Sequence, residues 1–216
     1  MNIYTAIHRA LKAAYEQSRA PIMDLMAAQT PDPFRILVGT ILSARTQDAT
    51  TAAAVEKLFA RVKTPAQLAA LSEAEIESLI FPVGFYHTKA KHLKQLPAAL
   101  AQNFNGRVPD EIDDLCTLPG VGRKTANLVR ALAFRKPAIC VDVHVHRISN
   151  RLGLVQTRDP HATEMALRET LPRKYWMDWN SILVAFGQTR CRPVKPRCAG
   201  CPIARYCPSR GSDRPG

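Results

Sequence analysis

Three groups of residues in this 216-residue sequence have the types and spacing to do chemistry. The first is Leu115-Cys-Thr-Leu118-Pro-Gly120-Val121-Gly122-Arg-Lys124-Thr-Ala126, which sets two glycines in a turn between two short helices. Glycine admits positive φ and leaves the backbone bare, so consecutive amides at the start of the second helix are placed to meet one phosphate oxygen. Leu115, Leu118, Ala126 and Leu128 fall in register for the two helices to close on each other. A Gly-x-Gly alone would read as an ordinary turn. The full pattern makes 115–128 a helix-hairpin-helix expected to grip a DNA backbone through Gly120, Val121 and Gly122.

Lys124 stands in the first turn of the second helix, next to Arg123. The positive helix end and the neighbouring guanidinium both oppose an ammonium there. A lysine that gives up its proton is a nucleophile able to form a Schiff base with a sugar carbon; the plainer role is one more phosphate-binding cation. The second group is Val141-Asp142-Val143-His144-Val145-His146. Asp142 precedes the stripe Val145, Ile148, Leu152 and so has the position of an N-cap. Residues two apart on a helix point about 200° apart, so Asp142, His144 and His146 cannot converge on a metal. The functional expectation is that the Asp142 carboxylate serves the same reaction as Lys124.

The third group is Cys191, Cys198, Cys201 and Cys207, spaced C-x6-C-x2-C-x5-C. Nothing suggests the oxidising compartment that disulfides need. Zinc ribbons separate two C-x2-C knuckles by about a dozen residues or more. One short loop wrapped round a single centre favours an iron–sulfur cluster, with four-thiolate zinc as the alternative. The intervening Arg192-Pro-Val-Lys195-Pro-Arg197 is basic and stiffened by prolines, which makes Arg192 and Lys195 candidate phosphate contacts. Cys116 and Cys140 lie in apolar stretches and are expected to be small core residues.

The elements that must carry these groups are helical. Ile3, Ile7, Leu11 and Tyr15 form one apolar stripe of near-3.6 spacing, and Phe34, Leu37, Val38, Ile41 and Leu42 mark a helix apolar over so wide an arc that it is central. A further helix carries Val55, Leu58, Phe59 and Val62, with Thr46 or Asp48 as its cap. Thr64-Pro-Ala-Gln67 and Ser72-Glu-Ala-Glu75 read as capping boxes, and Asp159-Pro160 opens a helix that Pro172 closes. The only alternating stretch, Ile139 to His146, is short, so the expected fold is all-α with roughly ten helices. Low complexity is confined to a Gly/Pro/Ser/Arg tail after Cys207.

Charge is distributed unevenly. The formal net charge is +12, yet residues 1–118 carry 12 basic and 12 acidic side chains, against 18 and 6 in residues 119–216. Such a one-sided excess points to a polyanion, whose counterions are released as Lys and Arg approach. Arginines outnumber lysines 20 to 10, which suits bidentate phosphate recognition. At 46% hydrophobic residues the chain can build a core, and no apolar run is long enough to span a membrane. With no secretory signal at the N-terminus, a soluble cytoplasmic protein is expected, nucleoid-associated if bacterial.

Leu-Pro-Gly-Val-Gly-Arg-Lys-Thr-Ala-Asn (118–127), Val-Asp-x-His (141–144) and the C-x6-C-x2-C-x5-C loop together resemble the endonuclease III family, bifunctional DNA glycosylase/AP lyases. The resemblance runs from about residue 22 to Cys207. It implies two helical lobes with DNA in a cleft between them: a six-helix barrel over 23–134, and a cluster lobe built from 1–22 and 135–216 with its cluster loop at 191–207. It implies a [4Fe-4S] cluster on the four cysteines, Lys124 as nucleophile, Asp142 as catalytic carboxylate and His144 lining the same cleft. It further implies a monomer acting on double-stranded DNA with damaged pyrimidines or abasic sites, through a lysine Schiff base and β-elimination on the 3′ side.

Two segments match less closely. Ser43-Ala-Arg45-Thr-Gln47-Asp48 resembles the family's Ser-x-Gln-x-x-Asp, whose glutamine fills the gap left by a flipped nucleotide; Arg45 holds that place here and Gln47 falls two residues later. Val83-Gly-Phe85-Tyr86 resembles a loop bearing an apolar wedge, which makes Phe85 the intercalating residue. Val143 replaces the family's usual threonine. These departures bear on lesion preference and opposite-base reading. The rival readings are a monofunctional adenine glycosylase, expected to lack a lysine at 124, and a non-catalytic helix-hairpin-helix clamp. A ferredoxin would have no use for the hairpin.

Overall fold

The computed structural model describes residues 2–16, 22–29 and 31–211, so residues 212–216 of the tail lie outside the described residues. Among these there are twelve α-helices and no strand. In chain order the helices are α1 Ile3–Glu16, α2 Ile22–Gln29, α3 Pro33–Ser43, α4 Asp48–Arg61, α5 Pro65–Ala70, α6 Glu73–Ile80, α7 Tyr86–Phe104, α8 Ile112–Cys116, α9 Arg123–Phe134, α10 Val143–Arg151, α11 Pro160–Thr170 and α12 Trp176–Thr189. Short 3-10 turns occupy Arg173–Tyr175 and Ala204–Tyr206. The chain divides into two compact units, Ile22–Lys136 on one hand, Met1–Pro21 with Pro137–Gly216 on the other.

The first unit is organised round α3. Asp32 caps it by accepting from Phe34 N–H, and Pro33 supplies the preset first φ. Phe34, Ile36, Leu37, Val38, Ile41 and Leu42 are all buried, as their wide apolar arc requires. Helix α3 packs on α4, α7 and α9, and α7 packs on α5 and α6. Truncating a fully buried side chain such as Leu37 to alanine would cost about 2–5 kcal/mol. Ser72 and Glu75 form the complete capping box of α6. At α5 the box is only half made. Thr64 accepts from Gln67 N–H, whereas the Gln67 side chain accepts from Lys63 N–H instead of turning back to Thr64.

Two expectations fail in this unit. Neither Thr46 nor Asp48 caps α4; Gln47 holds that position with no side-chain bond, because the Thr46 hydroxyl is drawn to Gly84 N–H, 38 residues away. Cys116 is exposed, since it is the last residue of the short α8 and turns outward where the chain leaves the helix.

The second unit is assembled from both chain ends. Helix α1 packs on α12, with Ile7 and Leu11 buried against Trp179 and Leu183 in one apolar cluster. Polar contacts fix the pairing: His8 Nε2 lies 2.9 Å from Asp178, Tyr175 Oη donates to Thr5 Oγ1 at 3.0 Å, and Tyr4 Oη donates to Thr170 Oγ1 at 2.6 Å. Asp159 caps α11, and Pro160 begins it.

Candidate active site

The segment 115–128 is a helix-hairpin-helix made of α8, a turn and α9. Leu115, Leu118 and Ala126 are buried and close the two helices together, with Leu128 half-buried. Gly120 has φ +76, and a Cβ there would lie 2.8 Å from His92 Nδ1, so both conformation and space call for glycine. Val121 is buried and its N–H donates to Leu118 O, which removes it from the amides expected to meet a phosphate. Gly122 is exposed and is the N-cap of α9. An α-helix leaves its first amides without intrahelical acceptors, and its dipole places positive charge there.

Lys124 is the second residue of α9 and is exposed. Arg123 lies 3.8 Å from Asp113, so its charge is partly offset rather than directed wholly at Lys124. The open end of the hairpin is clamped by ion pairs, Arg130 to Glu111 at 2.7 Å and Lys136 to Asp110 at 2.6 Å. The hydrogen bond from Lys136 holds the Asp110 carboxyl below the usual carboxylate range, and that from Arg130 does the same for Glu111.

Two loops of the same unit bring Arg45 and Phe85 together. Both residues have left-handed backbones, φ 54 and φ 58, and the Arg45 guanidinium sits 4.6 Å from the centre of the Phe85 ring. Phe85 is 57% exposed, a large apolar surface left in water. Gln47 is also exposed, and its main-chain carbonyl accepts from Thr51 N–H and Oγ1 at the start of α4.

In the other unit, Asp142 is the N-cap of α10 and is buried, its Oδ1 accepting from His144 N–H and Val145 N–H, each at 2.9 Å. His144 is half-buried and its Nδ1 accepts from Arg147 Nη2 at 3.1 Å. Val143 projects outward, 66% exposed.

Cys191, Cys198, Cys201 and Cys207 are free, half-buried thiols that line one pocket with Ile148, Phe186 and Ile203. Burial pushes the Cys201 and Cys207 thiols up. No three His, Cys, Asp or Glu side chains among the described residues close on the point of a single metal ion. Two arginines that sequence reasoning missed secure the start of this loop from α10. Arg147 donates to Cys191 O at 2.8 Å, and Arg151 donates to Arg192 O and Pro193 O, each at 2.7 Å. Both are buried, and burial draws Arg147 down from the usual guanidinium range. Their i,i+4 spacing on a helix shared with Val145, Ile148 and Leu152 was the available signal. Arg192 and Lys195 remain exposed on the loop, and Lys195 has φ 50. Lys89 was missed too; it is buried on α7 beneath the Arg45 and Phe85 loops.

An all-helical chain whose helix-hairpin-helix carries an exposed lysine, with a four-cysteine loop elsewhere, defines a class of DNA-repair protein. Residues 38–173 match the HhH-GPD superfamily base excision DNA repair protein model, and the chain belongs to this family. It is 46% identical over 176 residues to Endonuclease III of Thermotoga maritima, covering 82% of this chain and 83% of that one. Its structure matches a non-covalent Endonuclease III–DNA complex with a TM-score of 0.83 and 32% identity, over 96% of both chains. It also matches a trapped Endonuclease III–DNA covalent intermediate with a TM-score of 0.80 and 33% identity, over 96% of this chain and 97% of the other.

Proposed function

We propose that this chain is a bifunctional DNA glycosylase and AP lyase of base excision repair, acting on damaged pyrimidines and abasic sites in duplex DNA. The observation that carries the reading is an amine, Lys124, exposed one residue inside the helix that follows the Gly120–Gly122 turn. The turn and the first amides of α9 hold a phosphate, which brings a deoxyribose within reach of that amine. Once DNA excludes water, the positive helix end favours the neutral amine that attack requires.

In the proposed sequence a damaged base leaves the stack, a step easiest where stacking is weak. The amine of Lys124 attacks C1′ and the base departs with the bonding electrons. Asp142 balances the positive charge developing on the sugar and accepts the lysine proton. The aminated sugar ring then opens: the C1′–O4′ bond breaks as the nitrogen lone pair forms C1′=N, and O4′ takes up a proton. The imine acidifies C2′, and loss of a C2′ proton expels the 3′ phosphate by β-elimination. Arg45, Gln47 and Phe85 contact the distorted duplex, with Phe85 as the wedge. Gly120, Gly122, Arg192 and Lys195 hold backbone phosphates, and His144 borders the sugar site.

A [4Fe-4S] cluster fits the cysteine loop: four thiols share one pocket, its walls are apolar, and the buried Arg147 and Arg151 would offset the cluster's negative charge. Cys191, Cys198, Cys201 and Cys207 would hold it, and it would supply a cross-link that keeps Arg192 and Lys195 presented to DNA. No described helix is long and apolar enough to cross a membrane. A duplex bearing a single oxidised pyrimidine tests the reading. Release of free base with a cut on the 3′ side supports it; an intact strand would reduce the protein to a clamp.

A further inference from the structure

Lys89 lies on the face of α7 that Leu93, Leu96 and Leu100 bury against the core, and it is 6% exposed. Its Nζ donates to Leu42 O at 2.8 Å, Ala44 O at 2.6 Å and Thr46 Oγ1 at 3.2 Å. Those three bonds use all of the ammonium's donors. None of the acceptors is a carboxylate, so the charge is held by dipoles alone, and burial draws Lys89 down to about 8. A leucine would continue the apolar stripe without burying a charge. What the lysine adds is reach across to a neighbouring element: Leu42 and Ala44 belong to the C-terminal end of α3, where carbonyls lack intrahelical donors and a cation suits the dipole.

The same contact continues outward. The Thr46 hydroxyl, which accepts from Lys89, also accepts from Gly84 N–H at 3.2 Å. A Cβ on Gly84 would fall 2.5 Å from Arg45 O, so the two loop backbones touch directly. On the far side of that contact stand Arg45 and Phe85, stacked on each other with left-handed backbones that neither residue type adopts readily. Lys89 also joins Phe85 through its own backbone, donating N–H to Phe85 O at 3.1 Å.

We propose that Lys89 is a positioning residue that ties the 44–47 turn to the 83–85 turn, so that Arg45 and Phe85 enter DNA as one preassembled wedge. This rests on the reading of Arg45 and Phe85 as DNA-contacting residues. With the tie in place the two side chains arrive in fixed register; without it each loop relaxes alone, and misplacement of about 1 Å costs about 10²-fold in rate.

The test uses the whole protein and a duplex with one oxidised pyrimidine opposite 2-aminopurine, whose fluorescence rises when it is unstacked. At saturating protein, below the unfolding temperature of every variant, Lys89→Met is expected to lose most of that rise. Single-turnover base release should fall by about 10²-fold, and cleavage at a preformed abasic site, where less stacking is broken, should fall less. A lower melting temperature with an unchanged rise and rate would overturn the proposal, since a merely structural lysine predicts that outcome. Should Lys89→Met not fold, Thr46→Val removes the shared hydroxyl while leaving the lysine: a diminished rise supports the tie, and a full rise overturns it. Phe85→Ala separates the two layers of the argument. A lost rise there with a full rise in Lys89→Met overturns the tie alone, while a full rise in Phe85→Ala overturns the wedge and the tie with it.

Discussion

Replacing Asp142 by asparagine separates a cap from a catalyst. The side chain accepts two backbone N–H bonds at the start of α10 through one oxygen, and an asparagine amide oxygen accepts the same two. Asparagine caps about as well as aspartate, whereas alanine costs about 1 kcal/mol. In a protein of this size that corresponds to about 2–4 °C in Tm. Asp142→Ala should therefore melt lower, and Asp142→Asn should melt close to the wild type. Chemistry should split the other way. A fixed charge aimed at a developing cation is worth about 3–4 kcal/mol, so either variant should slow single-turnover base release by about 10²–10³-fold. Circular-dichroism melting, fluorescence anisotropy on an uncleavable duplex and free-base release measure the three quantities. A wild-type rate in Asp142→Asn would refute the catalytic role, and a loss of binding as large as the loss of rate would reduce Asp142 to its cap.

Gly120→Ala forces a side chain into a φ of +76 and against His92. The left-handed backbone alone costs about 1–2 kcal/mol, and binding to undamaged duplex should weaken with it; unchanged anisotropy would place the phosphate grip elsewhere. Arg151→Met removes the donor of the Arg192 and Pro193 carbonyls, at about 0.5–1.5 kcal/mol for each bond, since both residues are exposed and water replaces the lost donor. It should speed proteolysis within 191–207 and weaken salt-sensitive DNA binding, and an unchanged proteolytic pattern would contradict that role.

Local features were the legible ones. The Ser72–Glu75 box, the Asp142 and Asp159 caps and the burial of α3 follow from residues within a turn or two of one another. The hairpin register of Leu115, Leu118 and Ala126 was legible for the same reason. Contacts distant in sequence were not. Thr46 has a cap residue's chemistry, but its hydroxyl is taken by Gly84 and Lys89, which no short-range pattern announces. Val121 lost its expected amide to a turn bond with Leu118, a detail that depends on the turn's geometry. Lys89 had a visible signal, a lysine in register with Leu93, Leu96 and Leu100, yet charge on a helix reads first as surface. Arg147 and Arg151 were hidden in the same way.

The central claim is that Lys124 forms a covalent bond to the sugar. Borohydride reduction during turnover on a lesion-bearing duplex, followed by proteolysis and mass spectrometry of the adduct, tests it most directly. A trapped protein–DNA species is expected, with the modified peptide carrying deoxyribose on Lys124, and no trapped species from Lys124→Ala. An adduct that persists in Lys124→Ala, or one mapped to another amine, would contradict it.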